Sequence, residues 1–346
     1  MKESKSLNRK MVEAALILKQ INGEVYQNVP HDVNLKHVYC ASFTNNVVNG
    51  VTADMFCSDL IHGDGGELSN PSGMAPKFNS ITSSAALAVS TFAPWKARIR
   101  QLEIDLGSCL LSGFNTMTFE HIATTAIPHA LKHPNLDVWL ESDDTVLAIE
   151  CKFCEYNGGG SSNHTLHNAY KRLADELELD SPWVKAMDHL RNSKGVGNYR
   201  FFDATQMLRH YFGVANSGKA EKHLLYLYWH PENDDWRQIR PFSTHEKELK
   251  DFADRVAGSG DVHFHSLSFN QLWENWSLTN NPDVQEHVKL LKKKYSVVIK
   301  LKRQKGERNM AQRQSHFRLL TMHGRSTPQS RKRSTPPQRS VSGGSC

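Results

Sequence analysis

Two short apolar runs constrain the fold of this chain more than any other feature. They read LDVWL at residues 136–140 and VLAIECKF at residues 146–153, and the polar segment ESDDT separates them. Apolar runs of five to eight residues that contain β-branched and aromatic side chains and flank a polar turn are typical of two strands joined in a hairpin. If the turn is centred between Asp143 and Asp144, facing residues have numbers that add up to 287.

This register predicts which side chains share a face of the hairpin. Trp139 faces Ala148 and Asp137 faces Glu150, with facing Cβ atoms about 4.5–5.5 Å apart. Because side chains alternate along a strand, Lys152 projects from the same face as Glu150. A slip of one residue would place the two acids on opposite faces, so the prediction depends on the turn. The other face is apolar apart from one thiol and carries Leu136, Val138, Leu140, Leu147, Ile149, Cys151 and Phe153.

The predicted pair of carboxylates needs a compensating positive charge. Two carboxylates about 5 Å apart repel by about 3 kcal/mol at an effective dielectric near 20. A proton, a cationic neighbour or a bound cation can offset this repulsion. Oxygen ligands suit Mg²⁺ or Mn²⁺, and Lys152 beside such an ion could orient or deprotonate an attacking water. The alternative is a surface acid pair that forms a salt bridge with Lys152.

Cys151 and Cys154 suggest a competing interpretation as a zinc or redox motif. A structural zinc site needs four ligands, and the sequence contains no second Cys-x-x-Cys pair. Residues three positions apart on a strand also point to opposite faces. A thioredoxin-type pair lies at a helix N-terminus, whereas this pair follows a strand. Among the histidines, His263 and His265 share one strand face, but the sequence offers no third ligand, which favours ordinary surface polarity.

The segments around the hairpin predict an α/β protein. The pattern predicts a helix in TFEHIATTAIPHAL, with Phe119, Ile122, Ala123, Ala126, Ile127 and Ala130 on one face. After the hairpin, a polar and helix-like insertion precedes a helix that Asp203 can cap, and residues 223–231 form a strand. Residues 83–95 predict an apolar helix, residues 262–276 a strand and a helix, and residues 282–301 either a closing helix or a helix followed by a strand.

The acid-bearing hairpin resembles the PD-(D/E)XK nuclease superfamily, whose fold is restriction-endonuclease-like. The resemblance rests on Pro134, Asp137, Glu150 and Lys152 in PNLDVWL and AIECKF, and it extends to a group of prokaryotic restriction endonucleases. It implies an αβββαβ core with a mixed central sheet flanked by helices, plus N-terminal helical additions. The first core strand is expected between residues 131 and 140 or within 103–118.

The resemblance also assigns roles to individual residues. Asp137 and Glu150 would bind Mg²⁺ or Mn²⁺ together with the backbone carbonyl of Cys151, and Lys152 would position the water. Glu120 is expected on the first core helix, where many members place a further metal-binding acid. On the helix after the hairpin, Gln206 would contact metal-bound water or phosphate, and the neighbouring Arg209 and His210 could contact the DNA backbone.

These residues predict a metal-dependent DNA endonuclease of restriction or defence type. The alternative is a catalytically silent protein that keeps the fold to bind nucleic acid or a partner. A single domain is expected over residues 1–302, with its catalytic core at about 115–230 and the insertion at about 157–202. Without a signal sequence or a membrane span, the expected location is cytoplasmic. A homodimer is possible, since a nuclease with one site cuts two strands as a dimer or by successive nicks.

The net charge of +6 comes from the C-terminal end. Residues 303–346 contain ten basic residues and one acidic residue, which leaves 32 basic and 35 acidic residues in the rest of the chain. This segment is rich in Arg, Gln, Ser and Pro and has almost no apolar periodicity, so it is predicted to be a disordered basic tail. It would either contact nucleic-acid phosphates or be a dispensable extension.

Overall fold

The computed structural model describes residues 9–22, 39–63, 66–69, 75–126, 133–158, 166, 168–176, 181–192 and 199–299. The predicted basic tail at 303–346 lies outside them. The helices are α1 (Arg9–Asn22), α2 (Cys57–His62), α3 (Ser84–Phe92), α4 (Asn168–Glu176), α5 (Pro182–Asn192), α6 (Ala204–Ala215), α7 (Phe242–Val256), α8 (Phe269–Ser277) and α9 (Pro282–Tyr295). The strands are β1 (Ile104–Asp105), β2 (Leu110–Leu111), β3 (Thr116–Ile122), β4 (Asn135–Glu141), β5 (Thr145–Lys152), β6 (Glu221–Tyr228) and β7 (His263–Ser268).

The strands β3 to β7 form a mixed five-stranded sheet in their chain order. The first three pair antiparallel, whereas β6 pairs parallel with β5 and β7 pairs parallel with β6. Parallel neighbours require a crossover, and the segment containing α4, α5 and α6 connects β5 to β6, while α7 connects β6 to β7. The chain therefore has the α/β architecture that the sequence predicted, with a central sheet flanked by helices.

The predicted register of the hairpin is confirmed. Trp139 pairs with Ala148 and Val138 with Ile149, as the sum of 287 requires. The turn is closed by the Ser142 N–H, which donates to the Thr145 carbonyl at 2.9 Å. The ladder stops at Val138 and Ile149, so Asp137 and Glu150 form the next position of the same register.

The helix predicted in TFEHIATTAIPHAL is wrong for the described residues. Residues Thr116–Ile122 form β3, and residues 127–132 lie outside the described part. The apolar residues fit a helical period, but Met117 and Phe119 also fit a strand period, and pairing with β4 satisfies the backbone of the whole segment. The expected windows for the first core strand therefore overlap β3 only at its first three residues.

The other helices agree with the sequence patterns. Asp203 caps α6, because its Oδ1 accepts from the Gln206 N–H at 2.9 Å. The predicted apolar face of this helix is buried.

The segment 83–95 contains α3, and β7, α8 and α9 lie where a strand and two helices were expected. The described part of the insertion contains α4 and α5. The buried face of α6 contains Ala204, Met207, Leu208 and Tyr211.

Both faces of the sheet are covered. We call the side that carries Glu150 the front face and the side that carries Cys151 the back face. On the back face, Phe153 packs edge-on against Trp229 and Tyr295, at ring-centroid distances of 5.0 and 5.7 Å. On the front face, the Tyr226 ring lies 5.1 Å from that of Phe202. Among the described helices, none is long and apolar enough to span a membrane.

One glycine allows α6 to approach the outer strands closely. A Cβ atom on Gly213 would lie 2.8 Å from both the Ala123 Cβ and the Pro134 Cγ. Neither atom ends a flexible side chain, so the helix or the strands would have to shift. Because α6 also carries Gln206 and His210, this contact sets the distance between that helix and the acid-bearing strands.

We expect Gly213→Ala to lower the free energy of unfolding by about 1–2 kcal/mol, because the cost of overpacking exceeds the gain in helix propensity. Urea unfolding followed by circular dichroism measures the change. Gly260→Ala is the matched control, since nothing lies within 4 Å of its added Cβ. A Gly213→Ala variant as stable as the wild type would contradict the close contact.

Candidate active site

The predicted acids and lysine meet where β4 and β5 face the start of α6. Asp137 lies on β4, Glu150 and Lys152 lie on β5, and Gln206 lies in the first turn of α6. The Cys151 N–H donates to the Asp137 Oδ2 at 2.6 Å, so this carboxylate is held against the end of β5. The hairpin register and the N-cap of α6 together position this cluster.

Glu150 is the most buried acid of the cluster, with 3% of its surface exposed. Its Oε1 accepts from the Lys152 Nζ at 2.5 Å and from the Gln206 Nε2 at 2.7 Å. The Nε2–H of His210 donates to Oε2 at 2.9 Å. Burial by itself raises the pKa of Glu150, but Lys152 and His210 overcome this effect and lower the pKa to about 2. The carboxylate is therefore ionised.

Lys152 is held as a fixed positive charge. Its Nζ also donates to the Gln206 Oε1 at 2.8 Å. Burial lowers the pKa of Lys152, but Glu150, Glu155 and Asp137 raise it above its ordinary value. A lysine with a raised pKa does not accept a proton at neutral pH, so of the two roles considered from the sequence, this geometry favours orientation of a water over its deprotonation.

Asp137 has the opposite electrostatic environment. Burial, followed by the nearby Glu150 and Glu120 carboxylates, raises its pKa well above the ordinary value, and the charge of Lys152 only partly opposes this. Without a further positive charge, these surroundings therefore favour the protonated form of Asp137. Two neighbouring carboxylates with pKa values shifted in opposite directions are typical of functional sites.

Glu120 reaches this cluster from β3, and its expected position on a helix is wrong. The Nδ2 of Asn135 donates to the Glu120 Oε2. Asn135 also has a buried Oδ1 that finds no hydrogen-bond partner among the described residues. Phe119 pairs with Val138 and His121 with Leu136, so Glu120 and Asp137 lie between these two pairs of the β3–β4 ladder. An edge strand thus supplies the acid that the sequence pattern placed on a helix.

The backbone at Glu120 is strained, with φ at +50°. Left-handed backbone in a non-glycine residue costs free energy and often occurs at functional sites. It also interrupts the alternation of β3, since His121 stacks on Trp139 with ring centroids 4.3 Å apart, whereas the strand partner of Trp139 is Thr118. Gly63 packs tightly against this point, because a Cβ there would lie 2.7 Å from the Glu120 Cβ.

His210 is the residue of the cluster whose role the sequence did not predict. It was expected to contact the DNA backbone with Arg209, but it is 2% exposed and binds Glu150. Gln206 and His210 are four residues apart on α6, so they project from the same side of the helix. This spacing was the signal in the sequence that could have placed His210 beside Gln206. The structure adds that the partner of His210 is the second carboxylate oxygen of Glu150.

The Cys-x-x-Cys interpretation does not fit the structure. Cys151 and Cys154 are both buried free thiols. Burial raises the pKa of each thiol well above its ordinary value, and nearby carboxylates add to the effect. Both therefore remain protonated, whereas metal binding and redox exchange require a thiolate. The main chain of Cys151 is the part of this residue that contacts the acid cluster.

Comparison with known proteins supports a nuclease-related chain. A family model described as restriction endonuclease associating with ARP matches residues 40–296. This match covers well over half of the chain and includes the whole acid cluster. The chain belongs to this family. Comparison with curated proteins and comparison with solved structures each gave no match. The family membership agrees with the restriction-endonuclease resemblance of the sequence.

We expect Asp137→Asn to raise the melting temperature of the metal-free protein at pH 8. Because the pKa of Asp137 is raised on folding, the folded state binds more protons than the unfolded state above about pH 3.9, and stability falls as the pH rises toward the folded pKa. The asparagine removes this penalty and keeps an acceptor for the Cys151 N–H. Thermal melts in EDTA from pH 4 to pH 8 measure the difference.

The gain should shrink toward pH 4, where Asp137 is protonated in the folded state and increasingly in the unfolded one. Asp144→Asn, in the exposed hairpin turn, should change the melting temperature little at any pH. A lower melting temperature of Asp137→Asn at pH 8 would contradict the prediction, because it would mean that the charge of Asp137 does not destabilise the folded protein.

Proposed function

We propose that this chain hydrolyses phosphodiester bonds in DNA with Mg²⁺ or Mn²⁺ as cofactor. The observation that carries the proposal is the cluster of Asp137, Glu150 and Lys152 at the end of the hairpin. The restriction endonuclease named in the family description supports the substrate class. Apart from the short strands β1 and β2 and the inserted helices α4 and α5, the elements α3, β3, β4, β5, α6 and β6 follow one another in the αβββαβ pattern, which further supports a PD-(D/E)XK core.

The residues of the site fit a hard divalent cation. Asp137 and Glu150 offer carboxylate oxygens, Glu120 adds a third carboxylate, and the Cys151 carbonyl is the remaining candidate ligand. The raised pKa of Asp137, caused by burial and then by the neighbouring Glu150 and Glu120 carboxylates, supports a need for further positive charge in this set. A bound Mg²⁺ would supply that charge, polarise the phosphate and lower the pKa of a bound water.

The protein's own side chains organise the reaction around the phosphate. The Lys152 ammonium, fixed between Glu150 and Gln206, would orient the attacking water and stabilise the negative charge that develops on the phosphate. The Gln206 side chain contacts Lys152 through its oxygen and Glu150 through its nitrogen. His210 holds the other oxygen of Glu150. These contacts fix the geometry before substrate binds, which is the main requirement for electrostatic catalysis.

The family description and the basic C-terminal segment indicate which molecules the chain would bind. The family description names association with ARP, so we infer that the nuclease acts together with a second protein. The basic residues of 303–346 would add unspecific affinity for DNA phosphates, and this affinity would weaken with salt. Both inferences are independent of the catalytic cluster.

A catalytically silent protein that binds nucleic acid or a partner is the second candidate. The observation that favours it is the closed network of Glu150, Lys152, Gln206 and His210, in which the buried charges already have partners within the protein. Such a network could be kept for the stability of the fold alone. The raised pKa of Asp137 argues against this, because a purely structural site gains nothing from an uncompensated acid.

The test is cleavage of plasmid and linear DNA in Mg²⁺ and in EDTA by the wild type and by Asp137→Ala and Lys152→Ala. We expect each change to reduce the Mg²⁺-dependent rate by about 100-fold or more, because each removes a charge that stabilises the transition state. Lys247→Ala, an exposed lysine on α7, is the control and should cleave at the wild-type rate.

Circular dichroism and thermal melts would show that the variants remain folded. Anisotropy with labelled DNA in Ca²⁺ would distinguish the two candidates. A folded protein that binds DNA but does not cleave it in Mg²⁺ or Mn²⁺, with or without its partner, would favour the silent candidate. Cleavage that persists in both Asp137→Ala and Lys152→Ala would overturn the proposed site.

A further inference from the structure

A second cluster of metal-ligating side chains lies on the back face of the sheet. His223 lies on β6, His265 on β7, and Cys109 immediately before β2. His223 pairs with Leu147 of β5, so its side chain shares the back face with Leu147 and Cys151, whereas Glu150 lies on the front face. His223 is also near the start of β6, and Glu150 is aligned with Tyr226 farther along the strand. The two clusters are therefore separate.

The three ligand atoms are close enough to bind one ion. The Cys109 Sγ and one ring nitrogen from each of His223 and His265 all lie within 4.8 Å of one another. The His223 Nδ1 is 3.0 Å from the His265 Nε2. Zinc–ligand bonds of about 2.0–2.3 Å in a tetrahedron place the ligand atoms about 3.3–3.6 Å apart. Small side-chain movements would bring the ligand atoms from their present spacing to the spacing of a zinc site.

We propose that Cys109, His223 and His265 bind a zinc ion. Sulfur and imidazole ligands select a borderline-soft transition metal, in contrast to the oxygen ligands of the front face. Three protein ligands leave a fourth position for water, or for His263, which is exposed and whose ring centroid lies 5.3 Å from that of His223. The sequence offered only His263 and His265, so ordinary surface polarity was the favoured interpretation. Folding supplies the missing ligands.

The backbone around Cys109 holds its thiol in place. The Leu106 N–H donates to the Cys109 carbonyl at 2.9 Å, which closes the turn between β1 and β2. Gly107 has φ at +79°, and its N–H donates to the Asp105 Oδ1 at 2.8 Å. The indole of Trp276 on α8 donates to the Glu103 carbonyl at 2.9 Å, so the hairpin is also tied to the helix that follows β7.

The surroundings of the second ring nitrogen of His223 also suit a metal-binding histidine. Its Nε2 is buried and has no hydrogen-bond partner among the residues that the structure describes. The Glu221 Oε2 lies 3.9 Å from this nitrogen. Metal binding through Nδ1 would place the ring proton on Nε2, facing the Glu221 carboxylate. Carboxylates that accept from the second nitrogen of a zinc-bound histidine are a common feature of zinc sites.

Such an ion would join the β1–β2 hairpin to the two parallel strands β6 and β7. The three ligands come from segments that are more than 100 residues apart between Cys109 and His223, and 42 residues apart between the histidines. A metal that binds only the folded arrangement stabilises it by mass action. We therefore assign the proposed ion a structural role, independent of the nuclease reaction on the front face.

The test is metal binding by the full chain after treatment with a chelator. The Asp137→Asn variant serves as the background, because the loss of one carboxylate weakens binding of the added metal at the front face. We expect one Zn²⁺ per chain and a rise of several degrees in melting temperature. Cys109→Ser and His265→Ala should each weaken binding by more than about 100-fold, since outer-shell changes alone cost about 10–100-fold. Cys57→Ser and His62→Ala, at accessible positions on α2, are matched controls and should bind as the background protein does.

Cobalt distinguishes this site from binding elsewhere. Co²⁺ in place of zinc should give tetrahedral visible bands and a thiolate-to-metal charge-transfer band that disappears in Cys109→Ser but persists in Cys57→Ser. Glu221→Gln should retain the spectrum and weaken binding by about tenfold. A Cys109→Ser protein that still binds one Zn²⁺ with unchanged affinity would overturn the proposal, and so would the absence of stoichiometric binding in the background protein.

Discussion

The ion pair between Glu150 and Lys152 is the interaction on which the site depends. Both charges are largely removed from water, and such a pair costs free energy unless the remaining donors and acceptors are satisfied. Gln206 and His210 provide those partners. The pair consequently fixes α6 against the end of β5. The close approach at Gly213 lets the same helix reach the strands. Side-chain packing and the buried ion pair therefore both set the position of α6 against the sheet.

The same pair divides the roles of the two neighbouring carboxylates. Lys152 and His210 compensate Glu150, which stays ionised, and little compensation remains for Asp137. The result is one acid that is ionised at neutral pH and another whose protonated form is favoured. The strained backbone at Glu120 brings a third acid to the same point. A chain selected for stability alone would avoid both features, so they support a functional interpretation of the front face.

The sequence alone predicted those parts of the site that depend on residues close together in the chain. The turn between Asp143 and Asp144 determined the register of the hairpin, and strand parity then placed Glu150 with Lys152 and excluded Cys151 from their face. It failed at Glu120, because the apolar residues of 117–123 fit both periods and only pairing with β4 decides between them. Spacing on α6 could suggest His210, but its partner depends on a crossover. Cys109 and His223 were unpredictable as neighbours, since separate segments bring them together.

The two faces of the sheet differ in the chemistry of their donors, and this difference keeps the two proposals independent. Carboxylates on the front face would favour a hard ion such as Mg²⁺, which usually keeps several of its waters. Thiol and imidazole groups on the back face favour an ion that stays with the protein. Since Leu147 pairs with His223 while Glu150 pairs with Tyr226, the sheet itself lies between the clusters. A change of ligand on one face therefore has no direct route to the charge balance of the other. Measurements of bound zinc would therefore test the proposal for the back face, and assays of Mg²⁺-dependent cleavage would test the proposal for the front face.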